Sequence, residues 1–117
     1  YSTPNCIEMS NSFDSASTLL LIAPPYVNTI ATNTTRVNFR VKTPQTGSTL
    51  SVGVMTNPLD AATYQEVQVI TPTNSWAQYI VSLAGYTGTG RYVAFKHGQV
   101  NTYQTINIDD VGIEALN

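Results

Sequence analysis

Two adjacent carboxylates, Asp109 and Asp110, interrupt an apolar run, Ile-Asn-Ile-Asp-Asp-Val-Gly-Ile, over residues 106–113. Paired acids can do acid–base chemistry or hold a hard cation, so the surrounding pattern decides their role. Alternation from Ile106 and Ile108 would put Asp110 and Gly112 on the core face. The apolar beat resumes instead at Val111 and Ile113, one residue out of phase. Either a β-bulge sits at Asp109-Asp110, or a carboxylate points inward and needs a partner, because a bare buried charge is very costly. With only five cationic side chains in the sequence, calcium is one such partner, and Asp109 and Asp110 are its candidate ligands. The alternative is a solvated bulge with Arg36, Arg40 or Lys96 nearby.

Catalysis finds little to work with. A glycosidase needs two carboxylates roughly 5–9 Å apart across a cleft, whereas strand neighbours point to opposite faces. His97 is the only histidine, so any nucleophilic triad must use it. It is followed by Gly98, no nucleophile elbow is present, and it reads as a surface histidine at a strand end. One Cys and one His cannot make a tetrahedral zinc site within the chain. The sequence therefore reads as non-enzymatic. Its seven tyrosines suggest a different chemistry, since sugar-binding modules stack pyranose rings on exposed aromatics. Tyr64, Tyr86 and Tyr103 fall in loops or turns and are the candidate ligand-binding residues. Tyr79, Tyr92 and Trp76 lie in or at the start of alternating strands and read as core.

The elements that must position these residues are short strands. Residues 6–9 and 19–23 are the first two, the second ended by Pro24-Pro25. Residues 36–42 alternate cleanly, with Val37, Phe39 and Val41 on one face and Arg36, Asn38, Arg40 and Lys42 on the other. Leu50, Val52 and Val54 form the core face of the next strand, where Gly53 permits a close approach from the other side. Asn57-Pro58 opens a loop that can hold a short helical turn at residues 61–64. Val67 and Val69 mark a further strand, and residues 76–83, 91–97 and 105–114 complete the series. About eight strands with a turn signal every ten residues or so predict an all-β antiparallel sandwich, a jelly roll.

Composition narrows the class. The 117 residues suit a single domain that buries roughly 65% of its unfolded surface. Charged residues make up 10%, against about 25% in an average soluble domain, and Ser, Thr, Asn and Gln supply the polarity instead. A net charge of −2 points to neither a nucleic-acid partner nor an anionic membrane surface. Cys6 stands alone, so no internal disulfide can staple the fold. The apolar stretch at residues 19–23 is far too short to insert in a membrane as a helix.

The second half of the chain resembles the cleaved-adhesin family, jelly-roll modules related to MAM domains and found in Bacteroidetes-type surface proteins, including gingipain haemagglutinin regions. The resemblance rests on Leu50-Ser-Val-Gly-Val-Met-Thr-Asn-Pro, Trp76-Ala-Gln-Tyr-Ile-Val-Ser-Leu, Gly90-Arg-Tyr-Val-Ala-Phe-Lys-His and Ile108-Asp-Asp-Val-Gly-Ile-Glu, in that order. It implies a non-catalytic adhesin-like module at residues 1–117, secreted or on a bacterial cell surface and part of a larger polyprotein. Its expected partners are a glycan or an extracellular protein, and neighbouring domains of the same polyprotein. It also implies structural calcium near the first strand and the Asp109-Asp110 pair. The family's acidic opening strand has no counterpart before Tyr1, which puts the completeness of the calcium site in question. An edge strand left uncovered there invites self-association. The rival reading is an assembly module that links domains or subunits through its sheet edges.

Overall fold

A computed structural model describes residues 6–10, 18–26, 35–45, 47–98 and 104–115. Eight strands account for most of them: β1 (Ile7–Ser10), β2 (Leu20–Ile22), β3 (Thr35–Lys42), β4 (Leu50–Met55), β5 (Gln65–Ile70), β6 (Ala77–Ser82), β7 (Tyr92–His97) and β8 (Thr105–Ala115). One 3₁₀ turn, Ala61–Thr63, precedes β5. The strands form two four-stranded sheets, ordered β1-β8-β3-β6 and β2-β7-β4-β5. Every ladder is antiparallel. Only β4 and β5 are consecutive and paired; the other connections cross between sheets, which is the jelly-roll winding.

The core lies between the sheets and is built by alternation. On β3, Val37, Phe39 and Val41 point inward and are fully buried, while Arg36, Asn38, Arg40 and Lys42 are half-buried on the outer face. Leu50, Val52 and Val54 of β4, Val93 and Phe95 of β7, and Ile106 and Ile108 of β8 complete the buried cluster. Phe39 and Phe95 meet edge to face across the sandwich with ring centroids 5.0 Å apart. That geometry suits the aromatic quadrupole, and truncating either ring to alanine costs about 3–5 kcal/mol.

Two bulges interrupt the ladders. Asn38 pairs with Gly112 and Arg40 with Asp109, so Asp110 and Val111 together oppose Phe39. Asp110 takes the left-handed conformation this requires, with φ of 53°. The bulge expected at Asp109-Asp110 is therefore present. A second register shift separates the pairs Val52–Gln68 and Gly53–Glu66. It leaves Val67 packed on the core and turns Val69 outward, so these two valines do not share a face.

Candidate functional site

The loop entering β5 holds Tyr64 in place through its own hydrogen bonds. Asp60 caps the 3₁₀ turn by accepting the Ala62 N–H at 3.0 Å, and the Thr63 hydroxyl donates to the Asp60 carbonyl at 2.8 Å. The Tyr64 N–H closes the turn on the Ala61 carbonyl at 3.1 Å. The chain then turns extended, which lays the Tyr64 ring over Gly53 on the outer face of β4. A Cβ on Gly53 would stand 2.7 Å from ring carbons and 2.3 Å from the Gln65 carbonyl oxygen. Glycine is what lets the ring approach the sheet this closely.

Three polar groups surround that ring. The Tyr64 and Ser51 hydroxyls are 2.6 Å apart. The Lys96 ammonium lies 5.6 Å from the ring centroid, within cation–π range. Glu66 pairs in register with Gly53 beneath the ring. Burial pushes the Tyr64 phenol up to about 12; the bond from Ser51 opposes that rise and the Glu66 charge adds to it. At neutral pH the hydroxyl is a protonated, anchored group. Beside it opens a polar depression of about 190 Å³ walled by Thr49, Ser51, Glu66, Val69 and Lys96.

The other expected site residues fall elsewhere. Tyr86 is corrected: it is 4% exposed, belongs to the core, and its hydroxyl accepts the Gly90 N–H at 2.7 Å. Both Gly88 and Gly90 pack against this hydroxyl so closely that a Cβ on either would sit 2.5 Å away. The ring thus ties down the loop before β7 and presents no face to a ligand. Tyr103 lies outside the described residues. His97 is likewise no surface residue; it is 1% exposed, and its Nε2 lies 3.0 Å from the Gln104 carbonyl. Tyr79 packs on the core and stacks near Phe39, whereas Trp76 and Tyr92 are only half-buried.

Asp109 and Asp110 occupy the β8 bulge. The Asp109 carboxylate accepts the Asp110 N–H at 2.9 Å, and the Asp110 carboxylate faces Arg40 at 3.8 Å. Calcium takes about six to eight oxygens. Among the described residues no three acidic, histidine or cysteine side chains come together. These two carboxylates, one beside a guanidinium, would supply only part of such a shell.

Ser51, Gly53 and Lys96 were not singled out as site residues from sequence. Small residues at alternate outward positions of β4 were the available signal, since a bare strip invites an aromatic to cover it.

The chain matches no protein-family model and no curated protein in sequence. Its fold does have solved counterparts. The K1 cleaved adhesin domain of Lys-gingipain from Porphyromonas gingivalis superposes with a TM-score of 0.70 at 21% identity, over 96% of this chain and 75% of that one. The K3 cleaved adhesin domain of the same protein gives 0.69 at 18% identity, over 94% and 74%. A family 29 carbohydrate-binding module, mutated to probe ligand recognition, gives 0.57 at 15% identity, over 84% and 61%. The chain has the fold of a cleaved adhesin domain, shared with carbohydrate-binding modules.

Proposed function

We propose that this chain is a non-catalytic, extracellular recognition module that binds a glycan on the outer face of the β2-β7-β4-β5 sheet. The observation that carries the reading is the Tyr64 ring, laid on Gly53 and anchored through Ser51. An aromatic held in one place offers a sugar its C–H-binding face at little entropic cost. Lys96, Glu66 and the Ser51 hydroxyl supply hydrogen-bonding groups around it. The likeness to adhesin domains and carbohydrate-binding modules supports binding over turnover.

The test is a glycan-array screen followed by calorimetric titration of the hits. Tyr64→Ala should weaken binding at least about tenfold, or 1.4 kcal/mol, while Tyr64→Phe keeps the ring and most of the affinity. Unchanged affinity in a folded Tyr64→Ala protein would remove this face from consideration.

A second reading, assembly with another copy through the sheet edges, is favoured by one observation. Ile7 and Val111 are 46% and 39% exposed, and they line an apolar cleft of about 340 Å³ with Leu21, Ala23, Phe95 and Ile113. Ile7 and Ile113 stand in register opposite the core residues Ile108 and Val37, so the side of the sandwich near β1 and β2 opens onto the core. Light scattering decides it: a monomer at high concentration excludes this mode.

A further inference from the structure

One end of the sandwich carries a cavity of about 380 Å³ between the β3–β4 and β5–β6 connections, whose lining shares no residue with the depression beside Tyr64 and Lys96. Among the described residues its walls contain no ionisable side chain. Pro44 and Pro72 contribute rigid apolar rings, while Gln45, Thr71 and Asn74 contribute amides and a hydroxyl. Its volume falls in the lower part of the roughly 300–1,000 Å³ range of small-molecule sites.

The cavity is built before any ligand arrives. The Thr43 N–H donates to the Thr73 carbonyl at 2.8 Å, which joins its two walls. The Thr43 hydroxyl donates to the Thr105 carbonyl at 2.7 Å, and the Thr105 N–H returns a bond to Gln45 Oε1 at 3.0 Å. With its oxygen fixed in this way, the Gln45 amide keeps its NH₂ as the donor available to a ligand. Gly47, at φ of 87°, adds no side chain, and a Cβ there would meet nothing within 4 Å. The mouth beside it stays open.

We infer that this cavity is a binding site for a neutral pyranose residue, separate from the Tyr64 face. A charged ligand would lose hydration here and find no counter-charge among the described lining residues. A neutral sugar presents the complementary surface: a C–H face for the exposed Pro44 ring, above the buried Pro72, and hydroxyls for Gln45, Thr71 and Asn74. The chain's single tryptophan supplies a reporter. Trp76 follows Asn74 closely in sequence, and Lys42, which precedes Thr43, stands 5.1 Å from its ring centroid.

The experiment titrates the isotope-labelled chain with glucose, galactose, N-acetylglucosamine and glucuronate, following amide shifts and Trp76 emission. At least one neutral sugar should give saturable shifts at Gln45, Gly47, Thr71 and Asn74, with a Kd near 1 mM or weaker. Thr71→Val combined with Asn74→Ala, both exposed positions, should lower that affinity about tenfold. Tyr64→Ala should leave it unchanged. No shift at these amides with any neutral sugar up to about 100 mM overturns the inference. So does glucuronate binding as tightly as the neutral sugars. Shifts confined to the Tyr64 and Lys96 amides overturn it too, while leaving the glycan reading of that face intact.

Discussion

β3 and β4 sit at equivalent places, each second from an edge in its own sheet, yet they treat their outer faces differently. β3 buries alternate side chains and leaves Arg36, Asn38, Arg40 and Lys42 half-buried, whereas all six residues of β4 are buried. On β3 the outer layer is made of two charge pairs, a hydrogen bond from Asn38, and Lys42 set over Trp76. Arg36 donates through Nε and Nη2 to one Glu114 oxygen at 3.2 and 3.0 Å, and Asn38 donates to the other. Both partners of that pair are more than a third exposed, so it contributes at most about 1 kcal/mol. On β4 the outward residues are Ser51, Gly53 and Met55, and Tyr64 forms a second layer over Ser51 and Gly53. A sheet face can be finished by solvated charges or by an aromatic lid. Of the two, the lid is the one that fixes an aromatic ring in place.

The sharpest way to break the contrast is to give β4 an outer side chain. Gly53→Ala places a methyl within 2.3 Å of the Gln65 carbonyl and 2.7 Å of the Tyr64 ring, so both backbone and ring must move. The expected cost is about 2–4 kcal/mol in urea denaturation, together with exposure of Tyr64. Asn38→Ala, the matching outer position on β3, should cost about 1 kcal/mol or less. Equal losses at the two positions would mean that the lid contributes nothing special.

The difference also explains what could be read from sequence. β3 was legible because its alternation is strict and its polar residues are long and charged. The bulge of β8 was legible as well, because two acids broke an apolar beat. Tyr64 was nameable from its loop, but its resting place was not, because its contact with β4 depends on how β5 docks. Tyr86 failed for the same reason in reverse: Gly88 and Gly90 look like turn residues, and only the fold shows that they make room for its ring. Val67 and Val69 mark a strand, but the bulge at Val67 that turns them to different faces leaves their alternation in sequence unbroken. The cavity at the end of the sandwich joins loops far apart in sequence, so periodicity carries no trace of it.

A smaller effect comes from the Tyr64 hydroxyl. Its folded value of about 12 exceeds the ordinary 10.0, so the folded state holds this proton more tightly than the unfolded chain does. The associated stabilisation is complete below about pH 10 and is lost as pH rises from 10 toward 12. Tyr64→Phe removes the titrating group and keeps the ring over Gly53. The variant should show a shallower fall of thermal midpoint across that alkaline window. It should be less stable by about 1 kcal/mol at neutral pH, where the Ser51 bond is lost. Parallel midpoint curves for the two proteins would show that burial of the hydroxyl is not coupled to folding.

The smallest effect is expected at the β8 bulge, where it separates a backbone role from a metal role. Asp110 occupies a conformation that glycine adopts without steric cost, and its carboxylate reaches Arg40 only at 3.8 Å. Asp110→Gly relieves the backbone, gives up a weak partly exposed pair, and adds freedom to the unfolded chain. These terms are each about 0.5–1 kcal/mol and oppose one another. The net change should stay within about 0.5 kcal/mol, with a midpoint shift below a few degrees. If the bulge acts through its backbone alone, excess calcium and chelator should give the same midpoint in both proteins. A calcium-dependent rise of several degrees in the native chain, abolished by Asp110→Gly, would assign the acids to an ion completed by oxygens beyond this pair. Asp110 would then be in its left-handed conformation to aim a carboxylate rather than to absorb an extra residue.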